Sequence, residues 1–345
     1  MIKQTLFFTT PVSLSLKNSQ LVVAWKDRED TVTRPIEDLG CVVLENQQIH
    51  VTLPLLNELV KNNVAVILCD NKQMPTAMLQ SLDANTTQAE SLKFQLAVSE
   101  PMRKQAWRQV IEAKIKNQAA MLNKAGKDGS VLRPFHQNVK SGDADNREGL
   151  AARVYWSALF GQGYKREREG ASPNDMLNYG YAILRAATAR ALLGSGLLPN
   201  LGIFHKSRYN AFPLADDIME PYRPYVDEIV YELCEKGAVE LNKDTKAELL
   251  RLLRCDVHIG KVMRPLQIAL TFTTASLVRC NYSAVALHLN PRLKYTAKRP
   301  IKRQNKVSIF LAYVRYFLYL YTYERASYGH IKSAARHDGR DAVDA

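Results

Sequence analysis

Residues 205 to 224 read HKSRYNAFPLADDIMEPYRP, which places one histidine, His205, two adjacent aspartates, Asp216 and Asp217, and Glu220 within sixteen positions, bracketed by Arg208 and Arg223. Carboxylate oxygens with one imidazole suit a hard divalent ion such as Mg²⁺ or Mn²⁺ and suit structural zinc poorly. Asp217 and Glu220 stand three apart, so a helix through both puts them on one face, where like charges repel unless a cation lies between them. A plainer reading stays open: Pro213 opens a helix, and acids in its first turn offset the helix dipole. Pro221 bears on both readings, because the residue before a proline is pushed away from helical geometry, which leaves room for a kink at Glu220. His205 follows the run GLLPNLGIF at the mouth of an expected loop, either as a hydrogen-bonded packing residue or as a ligand.

A metal site needs one more donor, and Glu148 in NREGLAARVYWSALFG can supply it. It begins a helix whose core stripe reads as Leu150, Ala151, Val154 and Ala158, while Glu148 shares a face with Ala151, Ala152 and Tyr155. Those small alanines would leave room for a metal and a bulky substrate, although an acid at a helix start is also simply stabilising. Arg208 and Arg223 could grip flanking phosphates, with a surface pairing of Arg223 and Glu220 as the competing arrangement.

The elements that must hold these groups change character along the chain. SLSLK and QLVVAW are two period-two runs around Asn18-Ser19, which predicts a hairpin. GCVVL, QIHVTL and VAVILC predict further strands, with one short helix, PLLNELVKN, before the last. After about residue 88 the period becomes helical. In SEPMRKQAWRQVIEAKIKNQAAML, Ser99 reads as an N-cap and Pro101 as a first-turn residue, with Met102, Ala106, Val110, Ala113 and Ala120 at helical spacing. In SPNDMLNYGYAILRAATARALLGSG, Ser172 caps, Pro173 takes the first helical position and Gly194 stops the helix. PYVDEIVYELCEKG puts Val226, Ile229, Val230 and Leu233 on one stripe that ends at Gly237. Residues 124–146 read as a loop. The expected fold is α+β: a small N-terminal β-sandwich-like domain (1–75), a linker and first helix (76–100), a larger all-helical domain (101–325) and a flexible tail (326–345).

The chain has 345 residues and a formal net charge of +13, which favours polyanionic partners, nucleic acid or an anionic membrane surface, although a merely basic enzyme is compatible with it too. PRLKYTAKRPIKRQNKVSIF carries seven Lys and Arg and no acid. Lys298, Arg299, Lys302 and Arg303 are its candidates for DNA-backbone binding, against the alternative of a solvated surface. Phe310, Tyr313, Phe317 and Tyr321 recur at three or four residues and read as a packing stripe. Five cysteines without a CxxC pair read as reduced residues of a cytoplasmic protein. The amino terminus shows no secretory pattern and no uncharged apolar run approaches eighteen residues, so no membrane span is expected.

The series GLAARVYW after Glu148, NDMLNYGYAILRAATARALLGSGLLPNLGIFH, LADDIMEPYRP and RPLQIALTFTTASLVRC resembles the CRISPR adaptation integrases, most closely those of type II systems, over about residues 1 to 290. The resemblance implies a metal-dependent DNA integrase and endonuclease that inserts new spacers into a CRISPR array. It assigns the metal and catalytic site to Glu148, to His205 closing GLLPNLGIFH, and to Glu220 in the LADDIME segment, with Asp217 in a supporting role. It also implies a homodimer formed through the β domain, two such dimers joined by a small ferredoxin-like companion into a heterohexamer, and double-stranded spacer DNA and CRISPR repeat DNA as substrates. From about Tyr295 the chain departs from the family's usual ending. A structure-specific repair nuclease and a non-catalytic DNA-bridging scaffold are the alternative functions; chelation leaves a scaffold's binding unchanged, a nuclease yields cut products only, and an integrase yields joined strands.

Overall fold

Strands and short turns dominate the beginning of the chain. In the computed structural model, which describes residues 3–27, 29–81, 85–282 and 291–292, the first elements are β1 (Gln4–Phe8), β2 (Ser13–Lys17), β3 (Gln20–Ala24), β4 (Thr31–Pro35), β5 (Leu39–Leu44), β6 (His50–Val51), α1 (Leu53–Lys61), β7 (Ala65–Cys69) and β8 (Pro75–Leu79). One sheet runs β1-β5-β7-β8, with β1, β5 and β7 parallel and β8 antiparallel; the other runs β4-β3-β2-β6. The expected hairpin is β2–β3, in register Lys17 to Gln20, with Asn18 and Ser19 both at positive φ as a two-residue turn of matching twist requires. QIHVTL shrinks to a two-residue strand because the backbone turns into α1 after Thr52. The strands β1, β4 and β8, beyond the sequence reading, lie at sheet edges, where TVTRP and PTAML show little apolar alternation.

The two sheets share a core in which Val42, Leu44 and Val66 meet Leu14, Leu21 and Val23 across the sandwich, closed by Leu55 and Leu59 of α1. Every residue of β5 is buried, so its other face must also be covered. The helices that follow do this: α2 (Gln88–Ala97), α3 (Glu100–Lys124), α4 (Arg133–His136), α5 (Arg147–Phe160), α6 (Asn174–Gly194), α7 (Pro213–Met219), α8 (Arg223–Glu235), α9 (Lys243–Leu249) and α10 (Leu266–Tyr282). Cys41, Val43, Ala65 and Ile67 pack with Met176, Tyr179 and Ile183 of α6.

The helical region is not all helix. β9 (Asp256–Ile259) and β10 (Val262–Pro265) form an antiparallel hairpin, and β11 (Pro291–Arg292) pairs with β9. Four-residue strands are too short to impose a readable period on a sequence. The expected loop over 124–146 holds α4 and two 3-10 turns, and its Leu132 and Val139 join the core around α3. Helix α6 begins at Asn174, one residue later than expected, with Ser172 Oγ bonded to Asp175 at 3.0 Å, and it retains Gly194; the residue at positive φ is Gly196. Helix α8 buries Val226, Val230 and Leu233 as expected. Cys41, Cys69, Cys234 and Cys255 are free thiols. No helix among the described residues is long and apolar enough to cross a membrane. Lys298, Arg299, Lys302, Arg303, the aromatic stripe from Phe310 and the expected tail lie outside the described residues.

Candidate active site

The start of α5 is capped so that Glu148 is held in the first turn. Asn146 accepts from the Gly149 amide at 3.1 Å, while the Asp143 carboxylate accepts from the Arg147 and Glu148 amides at 2.7 and 3.1 Å, so the free N–H groups of the helix end are satisfied. The buried stripe of α5 is Ala151, Tyr155 and Leu159. This corrects the expected stripe: Leu150 is exposed, and the face that Glu148 shares is the one that packs.

Glu220 lies on the chain from α7 to α8, and its backbone is helical despite the proline that follows. Glu220 has φ −51° and ψ −46°, and the 3-10 turn Glu220–Tyr222 joins α7 to α8. Pro221 stands at the start of that turn, where a missing N–H costs little, and its carbonyl accepts from Asn117 Nδ2 at 2.7 Å.

Glu148 and Glu220 are brought together by a residue that the sequence reading did not single out. Lys114 of α3, itself buried, places Nζ 2.5 Å from Glu148 Oε1 and 2.6 Å from Glu220 Oε2. Arg223 Nε lies 2.9 Å from the other oxygen, Glu220 Oε1, with its guanidinium 4.6 Å above the Tyr181 ring. Glu220 is thus a buried carboxylate with a cation close to each of its oxygens. Burial opposes its ionisation, but Arg223, Lys114 and His205 outweigh that and hold its pKa below the usual range. Burial likewise opposes charge on Lys114, and Glu220 and Glu148 overcome it, raising its pKa.

His205 belongs to a loop built around Asp217. This aspartate is fully buried and accepts from the backbone amides of Ile203, Phe204 and His205 at 2.5, 3.0 and 3.2 Å; its Oδ1 also lies 2.6 Å from His205 Nδ1. A carboxylate only accepts, so Nδ1 carries the proton and the lone pair of Nε2 is left free. The Asp217 hydrogen bond, against burial, raises the His205 pKa. The turn requires Gly202: a Cβ there would sit 2.5 Å from the His205 carbonyl oxygen and 3.1 Å from Asp217 Oδ2. Trp107 supports the ring edge-on at 5.6 Å and stacks on Phe204 at 4.3 Å. A cavity of about 440 Å³ opens beside His205, with Arg103, Lys206 and Arg208 on its walls.

Adjacent aspartates therefore serve different neighbours. Asp216 pairs with Arg185 Nε at 2.6 Å and accepts from Asn210 at 2.8 Å, whereas Asp217 turns into the loop. The cation expected between Asp217 and Glu220 lies instead between Glu148 and Glu220, as the Lys114 ammonium. Among the described residues no three His, Cys, Asp or Glu side chains stand close enough to hold one ion. Glu148 and Glu220 meet at one cation, and His205 stands with Asp217. Arg223 is a partly buried counter-ion of Glu220, not a surface clamp; Arg208 is exposed, stacked over Tyr209 at 4.7 Å. Two carboxylates converging on one positive charge and an imidazole fixed through Nδ1 are oxygen and nitrogen donors of the types that Mg²⁺ or Mn²⁺ accepts.

A buried network ties the supporting helices together. Asp227 of α8 accepts from Tyr155 of α5 at 2.8 Å and from Tyr181 of α6, and burial pushes its pKa up to about 6. The unfolded chain gives up this proton first, so the native state loses stability as pH rises from about 4 to about 6, by on the order of 2 kcal/mol. Asp227→Asn is expected to flatten that part of the stability profile. Urea unfolding of both proteins at intervals from pH 4 to 7 checks this, and parallel profiles would refute it.

A profile of the family described as CRISPR associated protein Cas1 matches residues 6–253. The CRISPR-associated endonuclease Cas1 of Neisseria meningitidis serogroup C is 39% identical over 252 residues, covering 72% of this chain and 82% of that one. Among solved structures, a casposase bound to integration product superposes with a TM-score of 0.70 at 18% identity, covering 88% of this chain and 96% of that chain. A chain of a Cas6-RT-Cas1–Cas2 complex superposes with a TM-score of 0.64 at 18% identity, covering 85% of this chain and 36% of that one. At such identity these structural likenesses speak for the fold.

Proposed function

The chain belongs to the CRISPR-associated Cas1 family, and from that premise we propose that it is a metal-dependent DNA integrase and endonuclease that inserts spacers into a CRISPR array. The observation that carries this reading is the convergence of Glu148 and Glu220 on one buried cation position, beside a histidine that Asp217 fixes. Glu148, His205 through Nε2, and Glu220 would hold Mg²⁺ or Mn²⁺, which when bound supplies charge stabilisation at the reacting phosphate.

The chain's own residues do the positioning. Arg223 keeps Glu220 ionised in a buried place, the Asp143 and Asn146 caps fix Glu148, and Asp217 sets the tautomer of His205. Basic side chains around the cavity beside His205, Arg103, Lys206 and Arg208, face where flanking phosphates would lie. Lys298, Arg299, Lys302 and Arg303 would extend that surface. The proposed assembly is a homodimer through the β sheets, with two dimers bridged by a small ferredoxin-like companion of the Cas2 kind, acting on spacer and repeat DNA. The name of a complex that holds both Cas1 and Cas2 among the structural neighbours supports such a partner.

In the proposed reaction the 3′ hydroxyl of incoming DNA forms a bond to a repeat phosphorus and the repeat's own P–O3′ bond breaks, freeing a new 3′ hydroxyl. No protein nucleophile takes part. Ser207 and Tyr209 are close in sequence to His205, but Tyr209 is 81% exposed, with its hydroxyl engaged by Arg208. Spacer DNA with 3′-deoxy ends is expected to give no joined product, while Ser207→Ala and Tyr209→Phe join normal ends at rates near wild type. A covalent DNA–protein adduct would overturn direct transesterification. Cut products without joined strands would favour a repair nuclease, and unaltered DNA, bound equally well after chelation, would favour a scaffold.

A further inference from the structure

Lys114 has an environment that neither a structural lysine nor a solvent-facing one needs. Among the described residues the other buried lysine, Lys246, meets one carboxylate, Glu45, at 2.6 Å and a neutral partner, Gln73, at 2.9 Å. Lys114 meets two carboxylates, from α5 and from the turn after α7, at 2.5 and 2.6 Å. With Arg223 on the far oxygen of Glu220, two negative charges face two positive ones, and the group is balanced as it stands. A divalent ion entering between Glu148 and Glu220 would meet a like-charged ammonium at van der Waals range in a place with little water to screen it. Both cannot occupy one position. A lysine, unlike an arginine, presents a compact charge on a four-carbon stem that can swing aside.

We infer that the Lys114 ammonium is a tethered counter-ion that holds Glu148 and Glu220 at their spacing and competes with a divalent ion for the same position. The inference rests on the proposed reading of Glu148 and Glu220 as metal ligands. It makes α3 part of the metal-responsive machinery: the lysine keeps two acids together in their metal-free state and sets how much metal is needed to displace it. Its removal should have two opposite consequences, a weaker fold without metal and a stronger grip on metal.

The experiment uses the full-length, metal-stripped protein and Mn²⁺ alone. Free Mn²⁺ is followed by electron paramagnetic resonance during titration of wild type, Lys114→Met, Lys114→Gln and Glu220→Gln, and melting is recorded in chelator and in Mn²⁺. Both lysine variants are expected to bind Mn²⁺ about tenfold tighter than wild type, as removal of one adjacent like charge allows. They should melt lower in chelator and gain more from Mn²⁺ than wild type does, with Glu220→Gln binding weakly. If Lys114→Met does not fold in chelator, Lys114→Gln, which keeps length and a donor, carries the comparison. Equal or weaker Mn²⁺ binding by the folded lysine variants, with wild type binding normally, overturns the competition and makes Lys114 a scaffold. No Mn²⁺ binding by any protein, wild type included, overturns the carboxylate reading itself and the competition with it.

Discussion

Glu220→Ala is expected to abolish strand joining and to lower the thermal transition as well, whereas Glu148→Ala should abolish joining with the fold little changed. The two acids contact the same ammonium but sit differently: the Glu148 side chain is 28% exposed and that of Glu220 only 4%. Truncating Glu220 strands the partly buried Arg223 and removes one of two partners from the buried Lys114. Breaking a buried pair from one side costs about 3–5 kcal/mol, because a charge is left without compensation. Glu220→Gln keeps the volume and separates chemistry from folding: it should melt closer to wild type yet join strands on the order of 10³-fold more slowly, the scale typical of losing a group that stabilises a transition state. Scanning calorimetry and a joining assay on the same preparations decide the matter. Joining at the wild-type rate by either Glu148→Ala or Glu220→Gln would remove that residue from the site.

What could be read from the sequence follows from where physical signals are local. The helix start that holds Glu148 is legible after Asn146 and the tight turn before His205 in a short run with Gly202, whereas their assignment to one site rests on the family resemblance. The apolar runs of β5 and β7 are visible because both faces are buried. Lys114 left no such trace. In EAKIKNQ it looks like a solvent-facing residue, and the helix around it is covered on several sides, so its apolar positions do not form a single stripe. Its role exists only because α5 and the turn after α7, 34 and 106 positions away, arrive at the same point. The face of α5 was misread for a related reason: Leu150 is the more apolar residue but Tyr155 is the one met by Asp227, a contact 72 positions distant. Pro221 disfavours helical geometry at Glu220 by a local rule, yet Glu220, held by Lys114 of α3 and by Arg223, is helical.

Asp217 shows the same limit with a larger functional consequence. From sequence it is the weaker carboxylate of its segment, so a mild effect is the natural expectation for its replacement. In the structure every atom of its carboxylate is used: Oδ2 takes the amides of Ile203 and Phe204, and Oδ1 takes the amide and Nδ1 of His205. Asparagine has the same shape but turns one oxygen into a donor. Placed at Oδ2, the new NH₂ faces two backbone N–H groups and the loop cannot keep its form. Placed at Oδ1, it donates to Nδ1, drives the ring proton onto Nε2, and so blocks the nitrogen that would ligate. Asp217→Asn is therefore expected to slow joining on the order of 10³-fold, as an aspartate-to-asparagine exchange behind a working histidine does elsewhere, with DNA affinity changed little. Asp216→Asn is the matched control, because Asp216 faces Arg185 and Asn210, away from the ring, and should cost far less. Ring-nitrogen NMR of His205 reports the tautomer independently of turnover, and should show Nε2 protonated in the Asp217 variant alone. A variant that joins within threefold of wild type, or a ring still protonated at Nδ1, would return Asp217 to a purely structural place beneath the loop.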